Sequence, residues 1–225
     1  MPDPRLRDLT LGAFLDAAAS DEPVPGGGAV AAVAGAAGSA LLQMVTSLAL
    51  RRAKDPGAAS SLTSLHGRAH ALRLRFLDLA DDDVAAYRTV REALALPRST
   101  SKEKADRAAA VQRALVHAAE VPLGTARSAA DALSLAAEVA PICPRVARSD
   151  LLTAVQLVRA AAEAALANVD ANARSLDESA FRTELARVRR EIDAAVRTRV
   201  AALLAPLERG LREWLLPGVD RPFGG

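Results

Sequence analysis

The chain has 225 residues with a formal net charge of +2, is 51% hydrophobic and 25% charged, and carries only 3% aromatic residues. That length suits one domain or a compact domain with a tail, the small net charge does not mark a nucleic-acid binder, and a single cysteine, Cys143, excludes an internal disulfide. Alanine dominates the apolar share and strand formers are scarce, so nearly everything is expected to be helical, held by close helix contacts that a partner subunit extends.

Thr10 precedes a short helix to about Ser20. Pro23-Val24-Pro25-Gly26-Gly27-Gly28 then reads as a glycine loop opening a helix over 29–52, where backbone approaches a ligand and unpaired amide N–H groups favour an anion or a polar group. The uncharged run from Ala29 to Leu50 is long enough to span a membrane, but it is rich in Ala, Gly, Ser and Thr. Small residues four apart, Ala31/Gly35 and Ala34/Gly38, instead indicate a buried central or dimer-interface helix. Asp55-Pro56 is an N-cap followed by proline at the first helical position, opening a long helix to about Leu96. Thr100 and Glu103 form a capping box for a helix to about Glu120. Pro122 starts another, ended near Pro141. Ser149-Asp150 caps the next, on which Leu151, Val155, Val158, Ala162, Ala165 and Val169 recur by three and four. Asp177-Glu178 begins the last long helix, which Pro206 kinks or ends, and Gly218 to Gly225 reads as a loose tail. The expected architecture is an all-α, up-and-down helical bundle of long Ala-rich helices, dimeric, with residues 1–205 as the domain and 206–225 as an extension or tail. No basic and apolar leader opens the chain, so a reducing cytoplasm is the expected compartment.

Several chemistries are discounted. The glycine run lacks the Gly-Lys-Ser/Thr ending of a P-loop and follows no strand. His66 and His70 lie four apart but have no third ligand at a recognisable distance, and no metal site is expected. His117 and Cys143 have no local catalytic signature. Asp81-Asp82-Asp83 spans about 200° of a helix, so at least one carboxylate points toward the bundle. Asn168 and Asn172 share a helix face, where they either cross-link helices or read a polar ligand. Arg51, Arg52 and Lys54 either hold ligand carboxylates or offset a helix C-terminal dipole.

Taken in order, these motifs resemble the cyclodeaminase domain of formiminotransferase-cyclodeaminase and the stand-alone methenyltetrahydrofolate cyclohydrolases. The carriers are Pro-x-Pro-Gly-Gly-Gly-x-Val-Ala-Ala at 23–32, Asp83-Val84-Ala85-Ala86-Tyr87, Leu96-Pro97, Val121-Pro122-Leu123, Ser149-Asp150, and Asn168-Val169-x-x-Asn172 with Asp177, over roughly residues 8–185. The sequence departs from the family pattern at Cys143-Pro144, where relatives commonly carry Gly-Asn, and at Arg51-Arg52-Ala53-Lys54, in place of Gly-Lys-Lys.

The resemblance implies an all-α homodimeric enzyme acting on a one-carbon-substituted tetrahydrofolate, with no cofactor beyond that substrate, no metal or nicotinamide, and neither nucleic-acid nor membrane partners. Hydrolysis of 5,10-methenyltetrahydrofolate to 10-formyltetrahydrofolate is favoured. The alternatives are cyclodeamination of formiminotetrahydrofolate with release of ammonia, a lyase reaction, and a catalytically silent protein that dimerises and binds folate. Asp83 is assigned proton handling and cation stabilisation, because no helix-terminal role accounts for a carboxylate deep in a long helix. Asp150 is assigned the orientation of substrate or water. Gly26, Gly27, Gly28, Arg51, Arg52, Lys54, Ser149, Asn168 and Asn172 are assigned substrate binding.

Overall fold

The computed structural model describes residues 5–177 and 179–212. Among these, six α-helices and no strand are found: α1 (Leu11–Ala18), α2 (Gly27–Leu50), α3 (Pro56–Ala95), α4 (Ser101–Val139), α5 (Arg148–Ala173) and α6 (Ala180–Arg212). Short 3-10 turns occupy Leu6–Asp8, Ala140–Ile142 and Arg145–Ala147. The tail expected from Gly218 lies outside the described residues.

The caps read from the sequence form. Thr10 accepts from the Ala13 N–H, Asp55 accepts from Ala58 with Pro56 in the first turn, and Thr100 and Glu103 satisfy each other's backbone N–H groups. Others are corrected. α5 starts at Arg148 behind Ala147, which has no side chain to cap it, so Ser149 and Asp150 lie inside the first turn. Pro206 does not end α6, which runs on to Arg212.

The helices expected on either side of Pro122 are one continuous α4. Proline has no N–H to give the carbonyl four residues back, here that of Ala118, and an unmet carbonyl in a buried helix is costly. Asn172 Nδ2 on α5 donates to that oxygen at 2.6 Å. A neighbouring helix thus replaces the missing bond and lets α4 continue.

α2 packs between α3 and α5, α4 covers the opposite side of that pair, and α6 lies along α5 and α4. Neighbouring helices run antiparallel, as paired positions show: Gly28 with Asp83 and Gly35 with Phe76 across α2/α3, and Gly27 with Asn168 and Gly38 with Val158 across α2/α5. The small-residue stripe on α2 therefore works within the chain. A Cβ at Gly35 would lie 2.6 Å from Phe76 Cδ1, and one at Gly38 would lie 2.7 Å from Val158 Cγ2. Phe76, Val158 and the α2 residues Ala32, Leu42 and Val45 are fully or almost fully buried in one core. α2 alone among the described helices is long and apolar enough to cross a membrane, and one side of it is buried against α3, α5 and α4.

Candidate active site

The first turn of α2 lacks a conventional cap. Gly26 occupies the N-cap position and has no side chain with which to bond the exposed amides of Gly27, Gly28 and Ala29. Asp83 reaches over from α3 to take that place. Its carboxylate lies so close to Gly28 that a Cβ there would be 2.6 Å from Cγ and 2.9 Å from Oδ2, so only glycine admits it. Burial pushes the Asp83 carboxyl above its ordinary value of 3.8, and the backbone N–H of Ala29 draws it back only in part. This corrects the premise that Asp83 has no helix-terminal role: it serves the start of a neighbouring helix.

Asp81, at the start of the run, serves a different partner. Asp81 accepts the Leu6 N–H at 2.7 Å and Arg7 Nε at 3.0 Å, and Asp78 also pairs with Arg7. Asp81 thus anchors the N-terminal segment to α3. Asp83, unlike Asp81, turns to the glycine loop, as i, i+2 spacing on a helix requires of residues serving different faces.

Asn168 completes this end of the bundle. Its Nδ2 donates to the Ala164 carbonyl of its own helix at 2.9 Å, and a Cβ at Gly27 would lie 4.0 Å from its Oδ1. Asn172, one turn on, has its Nδ2 occupied by Ala118, the helix-linking alternative for that residue. The link between Pro122 and Asn172 escaped the sequence reading. A proline inside a helical pattern and an asparagine on an Ala-rich face were its only signals.

The remaining assigned residues are elsewhere. Arg51, Arg52 and Lys54 follow the far end of α2, about 35 Å from Gly27 at 1.5 Å per residue. Because α5 is antiparallel to α2, Ser149 and Asp150 lie toward that same far end, about 27 Å along α5 from Asn168. One chain therefore does not bring Asp150 to Asp83, a correction to the paired roles expected of them. Beside Asp150, burial pushes the Cys143 thiol up to about 11, with Arg148 pulling it down and Asp150 adding a smaller push. Such a thiol is inert at neutral pH.

His66 and His70 are engaged by side chains: Gln43 Nε2 lies 3.3 Å from His66 Nε2, and Arg73 donates to Gln43 Oε1 at 3.2 Å and to His70 Nδ1 at 3.1 Å. Among the described residues no group of three or more His, Cys, Asp or Glu side chains is placed to hold a metal.

A glycine loop, a carboxylate seated on its second helical residue and a carboxamide beside it are all carried by motifs at fixed positions in the chain. The family model for formiminotransferase-cyclodeaminase matches residues 10–191. The chain belongs to this family. Within it, the chain is 38% identical over 175 residues to a methenyltetrahydrofolate cyclohydrolase of Methylorubrum extorquens, covering 78% of this chain and 84% of that protein. It is 31% identical over 211 residues to the formimidoyltransferase-cyclodeaminase of Sus scrofa, covering 92% of this chain but only 38% of that longer protein. The fold is similar to the crystal structure of formiminotetrahydrofolate cyclodeaminase from Thermotoga maritima, with a TM-score of 0.79 and 26% identity, covering 94% of this chain and all of that one.

Proposed function

We propose that this family member hydrolyses 5,10-methenyltetrahydrofolate to 10-formyltetrahydrofolate at the Gly26–Asp83 end of α2. The observation that carries this is Asp83, a half-buried carboxylate with a raised pKa held against the first turn of α2. The substrate's N5–C–N10 carbon is cationic, and a carboxylate stabilises it. Water adds to that carbon and gives one proton to Asp83; the tetrahedral intermediate then opens by breaking its bond to N5, N5 takes that proton from Asp83, and the hydroxyl's remaining proton leaves to solvent as the formyl C=O forms. A base whose pKa is lifted toward working pH both accepts and returns a proton effectively. The Gly27 and Gly28 amides and Asn168 Oδ1 supply donors and an acceptor for the polar substrate edge. The similarity in length and sequence to the Methylorubrum extorquens cyclohydrolase supports this reading.

The second reading is cyclodeamination, supported by the similarity to the Thermotoga maritima structure. There N10 attacks the formimino carbon, ammonia leaves with a proton, and the methenyl cation forms, so the same carboxylate serves in the opposite proton direction. The third is a silent folate-binding protein. Incubating the purified chain separately with 5,10-methenyl- and 5-formiminotetrahydrofolate and following methenyl absorbance separates them: loss above the uncatalysed rate marks the cyclohydrolase, gain marks the cyclodeaminase, and neither marks the silent binder.

The same proposal includes a homodimer working in the cytoplasm without metal, nicotinamide, nucleic acid or membrane. The outward side of α2 supports the dimer. Val30 is 43% and Met44 38% exposed, Ala37 and Ala40 are exposed between them, and the helix carries no charge. Isologous packing of two α2 helices would cover this face and bring the Arg51–Lys54 end of one copy toward the Asp83 end of the other. Light scattering at micromolar concentration tests it, and a monomer refutes it.

A further inference from the structure

α3 does not stop where α2 begins. Gly28 lies level with Asp83, yet α3 continues to Ala95 and its antiparallel neighbour α4 starts at Ser101, so this helical pair overhangs the first turn of α2 by about 18 Å. Asp83, Tyr87, Val90 and Leu94 recur by four, three and four and therefore share one face of α3. Val24 and Pro25, leading into α2, lie with Val84, Ala85 and Arg88 on another flank of α3. Tyr87 and Val90 are half-buried and Leu94 is 45% exposed. On α4, half-buried Val111 and Leu115 share a face with Ala118, whose carbonyl holds Asn172. Val90 and Val111 stand outside the main core. A polar turn with a carboxylate thus has, farther along the same face of α3, an apolar strip bearing the chain's only tyrosine.

Resting on the folate reading of this end, we propose that Tyr87 is the platform on which the fused-ring head of the ligand stacks, one helical turn from the carboxylate that faces the reacting carbon. The chemistry matches in layout. Residues at i and i+4 place their Cβ atoms about 5–6 Å apart, so a planar heterocycle lying on the phenol ring presents an adjoining edge to Asp83. Among the described residues nothing hydrogen-bonds the Tyr87 hydroxyl, so the ring face carries the assignment and the hydroxyl does not. Tyr87 is a positioning residue: it fixes the substrate while Asp83 moves the proton.

The test is titration calorimetry of the full chain with two probes, 5-formyltetrahydrofolate, which has the fused ring, and p-aminobenzoylglutamate, which lacks it. Tyr87→Ala should weaken 5-formyltetrahydrofolate about tenfold, in the range of aromatic stacking losses, and leave p-aminobenzoylglutamate within about twofold. Tyr87→Phe should restore wild-type affinity, and in turnover Tyr87→Ala should raise KM more than it lowers kcat. Tyr87→Leu keeps apolar bulk without the ring and replaces Tyr87→Ala if that variant does not fold. Unchanged affinity in a folded Ala or Leu variant, equal loss for both probes, or a Phe variant as weak as Ala overturns the assignment. A wild-type chain that binds neither probe defeats the folate reading itself, a distinct outcome from failure at Tyr87 alone.

Discussion

Gly28→Ala is the sharpest perturbation this site allows. The added Cβ would sit 2.6 Å from Asp83 Cγ and 2.9 Å from Oδ2, where ordinary contact begins near 3.4 Å, so the carboxylate must swing away by most of an ångström or more. The backbone tolerates the change: residue 28 is already helical, and alanine is favoured over glycine there by about 1 kcal/mol. Loss of the hydrogen bond from the Ala29 N–H to the displaced carboxylate opposes that by about 0.5 to 1.5 kcal/mol. The two effects nearly cancel, so the melting temperature should move by no more than a few degrees. Turnover should fall by about 100-fold or more, the scale of a lost general base. Gly27→Ala is the control, since its Cβ would meet only Asn168 Nδ2 at 3.7 Å. It leaves Asp83 in place, so any effect should fall on KM. Both variants are read by methenyl absorbance and by circular dichroism melting. A folded Gly28→Ala protein with kcat within about twofold of wild type would refute the claim that Asp83 acts from its position over Gly28.

Asp83→Asn should reduce turnover by about 100-fold or more without lowering the melting temperature at pH 7. Because burial raises the carboxyl's folded pKa, the folded protein holds the proton more tightly than the unfolded chain; stability falls as pH rises from the ordinary value of 3.8 to the folded value and is level above it. The variant should therefore match or exceed wild type at neutral pH and lose that advantage below about pH 4, and the reverse order in pH-dependent melts would contradict the burial argument. Gly35→Leu drives a side chain into Phe76 and should destabilise the monomeric fold by roughly 1–3 kcal/mol or more, read by urea unfolding. Asn172→Ala leaves the Ala118 carbonyl, freed by Pro122, without its donor and should cost about 1–3 kcal/mol; an Asn172→Ala, Pro122→Ala double variant should recover much of it, and simple additivity would deny the coupling. Cys143 should resist iodoacetamide at pH 7.5 and react only as pH approaches about 11, as followed by mass spectrometry.

Local chemistry made most of the helices legible in the sequence. Thr10, Asp55 and the Thr100/Glu103 pair each satisfy amides within three residues, so their caps form whatever the rest of the chain does. The Gly26–Gly28 run, Asp83 and Asn168 could be singled out because each breaks an Ala-rich pattern. Tertiary structure decided the rest. Pro122 reads as a helix boundary until Asn172, 50 residues on, supplies the bond it cannot make. The spacing of Ala31, Gly35 and Gly38 shows that something packs closely on α2, but only the fold identifies Phe76 and Val158 as what does. Ser149-Asp150 resembles a cap, yet the 3-10 turn at Arg145–Ala147 leads straight into α5, which starts two residues earlier. Asp83 and Asp150 are equally acidic in sequence, and the antiparallel course of α3 and α5 along α2 sets one on the glycine turn and the other near the opposite end. Sequence fixes which residues can cap, bury or carry a proton, because those are properties of a side chain and its near neighbours. Which of them meet depends on the direction in which distant helices pass one another.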